Sequence, residues 1–134
     1  MGTDLKKIFI LEDEFIVALD IKCILMRAGQ YLPVIIQHNK DILSLLIDER
    51  PELIIISSNI DREISREIFF IGEKINSRFI ILSTSSKYDW FQKKDQDFEV
   101  VPKPFSHDIL IKKVENLLKT NSPIFAEACM SEVS

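Results

Sequence analysis

Residues 51–60 constrain this chain more than any other stretch. They read Pro51-Glu52-Leu53-Ile54-Ile55-Ile56-Ser57-Ser58-Asn59-Ile60. Four apolar residues in a row, three of them β-branched, leave no polar face. That pattern fits a strand covered on both sides, as in a parallel sheet, that ends where small polar residues begin. In an open α/β sheet the chemistry lies just beyond the carboxyl ends of the strands. Ser57 to Asn59 are therefore expected at any site, and the first residue out of this strand is a serine.

The rest of the chain repeats a strand-then-helix rhythm. Lys6 to Leu11 reads as a first strand and runs into Glu12-Asp13-Glu14. These acids have two readings: solvated punctuation, or a divalent-cation site, since magnesium needs only one or two protein carboxylates. A helix is predicted from Phe15 to Ala28, stopped by Gly29. Val17, Ile21, Ile24, Leu25 and Ala28 form its inward stripe. Ile16, Leu19, Cys23 and Met26 form a second stripe, which is either more core or an exposed patch for a partner helix or a second copy. Leu32 to Gln37 is a second strand. Asn39 can cap a short helix with Ile42, Leu45 and Leu46 inward. Asp61 to Asn76 is a third helix with Ile64, Ile68, Ile71 and Ile75 buried. Arg78 to Leu82 is a fourth strand and runs into Ser83-Thr84. Residues 87–97 read as a short helix or a loop, with Trp90 and Phe91 as packing residues or anchors of a binding face. Phe98 to Val101 is a fifth strand, broken by Pro102-Lys103-Pro104-Phe105. Ser106 can cap a last helix with Leu110, Val114, Leu117 and Leu118 inward. The alternation predicts an α/β fold: a doubly wound, five-stranded parallel sheet in order 2-1-3-4-5 with helices on both faces.

Composition narrows the function classes. The chain has 134 residues, enough for one domain with a real core, and 46% of them are hydrophobic. A net charge of −4 carries no electrostatic footprint for nucleic acid. No apolar run is long enough to span a bilayer and no signal-peptide pattern is visible, so a cytoplasmic protein is expected. Cys23 and Cys129 make no metal-ligand spacing and read as free thiols. The domain is expected to span residues 1–119, with 120–134 a flexible tail in which Ile124-Phe125-Ala126 can dock.

Taken together, Leu11-Glu12-Asp13-Glu14, the strand from Pro51 to Ser57, the hydroxyl of Ser83 and Lys103-Pro104-Phe105 resemble the receiver domain of bacterial response regulators. The resemblance covers nearly all of residues 6–119 and implies a flavodoxin-like fold. It also implies phosphoryl transfer from a phosphohistidine to an aspartate, with magnesium held by the acid pair, the acceptor carboxylate and a backbone carbonyl. Carried over by position, the acid pair is Glu12 and Asp13, the carbonyl belongs to Asn59, the hydroxyl is Ser83 with Thr84 as its alternate, and the lysine is Lys103. The family's Lys-Pro bond is usually cis, which implies a cis Lys103-Pro104 here.

Two positions depart from the family pattern. The phosphoacceptor position holds Ser57, and the inward-turning aromatic of the fifth strand is replaced by Val100. A serine hydroxyl must lose its proton to act as a nucleophile, and needs a base beside it. Neither His38 nor His107 falls next to Ser57 in the motif order. Asp13, facing Lys103, is expected to stay ionised and weakly basic. The swap also removes a carboxylate from the metal site, so magnesium, if it binds, is expected to bind weakly, and no other cofactor is expected. Lys103 is left to pair with Glu12 or Asp13.

These features are read as a stand-alone degenerate receiver, not an enzyme. It is expected to act in two-component or phosphorelay signalling through protein–protein contacts. Its partners would be a histidine kinase, a phosphotransfer protein, another receiver or a second copy, with no nucleic acid and no membrane. Leu19, Met26, Trp90 and Phe91 are the candidate partner face. One alternative is an active receiver phosphorylated at Asp61 or Ser57. Another is a flavodoxin-like enzyme or cofactor-binding module, which would need a phosphate-cradling glycine loop; Gly2, Gly29 and Gly72 are the only glycines and none follows a strand.

Overall fold

Five parallel strands form one sheet in the order β2-β1-β3-β4-β5. The structure is a computed structural model and describes residues 5–37, 41–84 and 98–119. The elements run β1 (Lys6–Leu11), α1 (Phe15–Ala28), β2 (Tyr31–Ile35), α2 (Ile42–Glu49), β3 (Leu53–Ser57), α3 (Arg62–Lys74), β4 (Arg78–Ser83), β5 (Phe98–Pro102) and α4 (His107–Leu118). This is the doubly wound topology expected from the alternation of patterns.

The isoleucine run sits at the centre of the sheet. β3 pairs with β1 on one side and β4 on the other, and all five of its residues are buried. Its side chains alternate between two cores, as strand geometry requires. Leu53 and Ile55 join the cluster beneath α1 and α4, and Ile54 and Ile56 join the cluster beneath α2 and α3. With both faces apolar, β3 can end only where helices stop covering it, and there Ser57 meets the site.

Local signals set most helix ends. Gly29 follows α1 with φ 90°, a left-handed conformation that suits glycine. Asp61 is the N-cap of α3, where its carboxylate accepts from the Ile64 N–H at 3.2 Å. Ser106 caps α4 in the same way, accepting from Ile109 at 3.1 Å. Gly72 lets α3 approach the sheet closely, because a Cβ there would lie 2.4 Å from the Phe79 ring. Phe79 in turn stacks on Phe69, with centroids 4.1 Å apart.

Several expectations need correction. β2 begins one residue earlier than expected and ends at Ile35. α2 has Asp41 at its N-cap without a side-chain capping bond, and Leu45 faces solvent while Ile42 and Leu46 are buried. An eight-residue helix presents room for only one buried stripe, and Leu45 falls on its edge. In α3 the buried residues are Ser65, Ile68, Phe69 and Gly72, while Ile64, Ile71 and Ile75 are half-buried. In α1, Ala18 takes the innermost place expected for Val17. Asn39, His38, Trp90, Phe91, the rest of 87–97 and the tail from 120 lie outside the described residues. Among the described residues no helix is long and apolar enough to cross a membrane.

Candidate functional site

Three strand ends and one loop converge at the carboxyl edge of the sheet. β1 delivers Glu12 and Asp13, β3 delivers Ser57, β4 delivers Ser83, and the chain leaving β5 delivers Lys103. Parallel pairing fixes this convergence, since Ser57 is opposite Leu82 and Ser83 is opposite Pro102. The Lys103-Pro104 bond is cis.

Four of these side chains form a closed ring. Lys103 Nζ stands 2.8 Å from Glu12 Oε1, with side chains 11% and 0% exposed. This is an ion pair by distance, although its angle falls short of a hydrogen bond. Lys103 Nζ also donates to Ser57 Oγ at 3.4 Å. The Ser57 hydroxyl bonds to Asp13, and the carboxyls of Asp13 and Glu12 bond to each other. The other Glu12 oxygen accepts from the Glu14 N–H at 2.9 Å. Ser57 Oγ additionally accepts from the Asn59 N–H at 3.1 Å. That bond closes a serine turn in a loop that contains no glycine.

The two acids are driven apart. Burial holds the Glu12 carboxyl above its ordinary range, reinforced by its bond with Asp13 and only partly offset by Lys103. The hydrogen bond from Glu12 holds Asp13 below its ordinary range, helped by Lys103 and Ser57. One carboxyl of the pair thus keeps a proton more readily and the other holds the charge. Asp13, the base nearest Ser57, is correspondingly weak.

The remaining expected site residues fall as follows. Asn59 is exposed, and its Oδ1 accepts from the Thr84 hydroxyl at 3.5 Å. Ser83 is buried, and its carbonyl accepts from the Lys103 N–H at 2.8 Å. Val100 is half-buried and packs on the cluster beneath α2 and α3. Asp61 is occupied as the α3 cap and is not part of the ring. Leu19 and Met26 are exposed on α1. Sequence reasoning did not anticipate the Ser57–Asn59 turn bond; a serine two residues before an amide, in a loop without glycine, was the available signal.

For a divalent cation the set offers two carboxylates, Glu12 and Asp13. Glu12 is engaged by Lys103 and the Glu14 amide, and Ser57 contributes an uncharged hydroxyl. Among the described residues no three His, Cys, Asp or Glu side chains are grouped to hold a metal ion.

The fold is that of response-regulator receiver domains. A response regulator receiver protein from Sinorhizobium medicae superposes with a TM-score of 0.75 at 20% identity, over 89% of this chain and 98% of that one. The receiver-modulated diguanylate cyclase from Pelobacter carbinolicus gives 0.69 at 23% identity, over 86% and 93%. A signal receiver domain from Bermanella marisrubri gives 0.70 at 18% identity, over 85% and 98%. No family model matches the sequence, and no curated protein matches it either.

Proposed function

We propose that this chain is a degenerate receiver that signals by binding other proteins, not by accepting a phosphoryl group on aspartate. The observation that carries this reading is the ring itself. Where the receiver fold would present an ionised acceptor, Ser57 presents a buried hydroxyl already bonded to Asn59, Asp13 and Lys103. Activating it would need a strong base, and Asp13 is held weakly basic. Removing a carboxylate also weakens magnesium binding, on which aspartyl transfer would depend. The chain is then a non-enzymatic adaptor in two-component or phosphorelay signalling. Its partners would be a histidine kinase, a phosphotransfer protein or another receiver, in the cytoplasm. Asp61 is a poor substitute acceptor, because its carboxylate is committed to the first turn of α3.

The test is a phosphodonor or beryllofluoride with magnesium, read by two-dimensional NMR and by melting temperature. The wild type is expected to show no change, and Ser57→Asp is expected to respond. A response of the wild type, or an acid-labile phosphate adduct on Asp61, would contradict the reading. An acid-stable adduct on Ser57 would point to a serine kinase.

A further inference from the structure

α1 is apolar on both sides. Ala18, Ile21, Ile24, Leu25 and Ala28 face the sheet. Ile16, Leu19, Cys23 and Met26 point roughly 180° away, by the 100° step of a helix. Nothing in the described chain covers them: Ile16 is 81% exposed, Met26 59% and Leu19 41%, and Cys23 is exposed as well. Phe15 flanks the stripe at 55% exposed. An isolated surface leucine is ordinary, but a continuous stripe marks a contact surface. The stripe opens onto a groove of about 710 Å³ that Val17, Pro104 and Phe105 also line.

The spacing identifies the occupant. Positions 16, 19, 23 and 26 follow the three-four-three rhythm of a coiled-coil seam. Asp20 and Arg27 fall on one flank of the seam, and Phe15 and Lys22 on the other. A parallel pairing of two such helices would set Lys22 of one against Arg27 of the other, like against like. An antiparallel pairing centred on Ile21 sets Ile16 against Met26 and Leu19 against Cys23. It also brings each Asp20 within about 7.5 Å along the axis of the second copy's Arg27, and each Lys22 as near to the second copy's Phe15 ring. The helix is thus complementary to itself under a two-fold axis, which closes the assembly at two copies. Asp20 also stands 3.7 Å from His107 Nε2 within its own chain; both side chains are half exposed, so Asp20 retains a solvent-facing side.

We propose that this chain forms a two-fold dimer through the outer face of α1, the two helices packing antiparallel. The proposal is independent of whether the ring around Ser57 is inert. A single helix pair is a small interface, so the dimer is concentration-dependent.

Sedimentation of the full chain is the test, from about 1 µM to about 1 mM, a span that brackets such an interface. The wild-type mass is expected to rise from one chain to two. Leu19→Lys/Met26→Lys is expected to remain at one chain throughout, with unchanged circular dichroism. Asp20→Arg alone gives that flank four positive charges in the dimer, and Arg27→Asp alone gives it four negative charges. Each is expected to weaken association about tenfold or more. An equimolar mixture of the two restores opposite charges and is expected to associate at least as tightly as the wild type. A wild-type monomer throughout, a dimer that survives Leu19→Lys/Met26→Lys, or a mixture no tighter than its parents overturns the proposal.

Discussion

Glu12 and Ile16 stand four residues apart and reverse the usual partition of side chains. The Glu12 side chain is 0% exposed and Ile16 is 81% exposed. The buried acid is informative by itself, and Ile16 is informative as part of an exposed apolar stripe. Glu12 can stay inside because Lys103, Asp13 and the Glu14 amide surround it. Ile16 stays outside because the described chain brings nothing to cover it. The pocket's side chains pair with one another, whereas the helix leaving it presents an unpaired surface. On our reading, function has moved from the first region to the second, and the expected experiments separate the two.

Lys103→Met should have the largest effect on stability. It leaves Glu12 buried without its cation, a loss of about 3–5 kcal/mol for a broken buried pair. Urea denaturation checks this. The loss should be smaller at pH 5 than at pH 8, because a carboxyl whose pKa is raised takes up its proton more readily as the pH falls. A cost under about 1 kcal/mol would mean that the ring does not hold the strand ends together.

Ser57→Asp should come next. A third carboxylate then competes for one lysine, and like charges at close range destabilise. We expect a loss of about 1–3 kcal/mol without divalent cations, within the usual range for a charge introduced at a buried site. Millimolar magnesium should recover part of it, and should do nothing for the wild type. If the substitution were neutral, Ser57 would not be relieving repulsion among the acids.

The pH dependence of the wild type should be weaker but signed. Glu12 has a folded pKa raised above its ordinary 4.5, so the native state binds the extra proton between those two values. Stability from this group is therefore present below pH 4.5 and is lost as pH rises through the folded value. Asp13 is lowered from 3.8, so its contribution is present above 3.8 and is lost as pH falls through its folded value. The difference between wild-type and Glu12→Gln stability curves should fall with rising pH above 4.5. A difference that rises there would reverse the assignment of the proton.

Much of this was legible in the sequence because the signals were local and strong. The β3 isoleucines, Gly29 after α1, Asp61 ahead of α3 and Ser106 ahead of α4 each act within a few residues, and the fold followed from their order. Less legible was anything decided by tertiary neighbours. Ile64, Ile71 and Ile75 have the spacing of a core stripe, yet Phe69 and Gly72 make the closest approach because of Phe79 on β4. Leu45 matches its neighbours in type, but the short α2 turns it outward. The site showed the same division. The participants Glu12, Asp13, Ser57 and Lys103 could be read from motif order, but the ring's bonds could not, nor could the choice of Glu12 over Asp13 as the ion-pair partner. That choice depends on which acid the last residue of β1 turns inward.

The smallest effect on folding should come from the opposite side of the comparison. Leu19→Lys/Met26→Lys replaces two large apolar side chains by charged ones, which in a core would unfold the domain. Here both residues are exposed, Leu19 at 41% and Met26 at 59%, and lysine is as good a helix former as leucine or methionine. The stability of the monomer, measured by urea denaturation at low protein concentration, should therefore change by no more than about 0.5 kcal/mol. At high concentration the wild type should gain stability relative to this variant, because association stabilises only the folded form. If the double substitution cost several kcal/mol in dilute solution, something within the chain would have to cover α1. The contrast between a pocket whose side chains pair with one another and an unpaired helix would then fail at its second term.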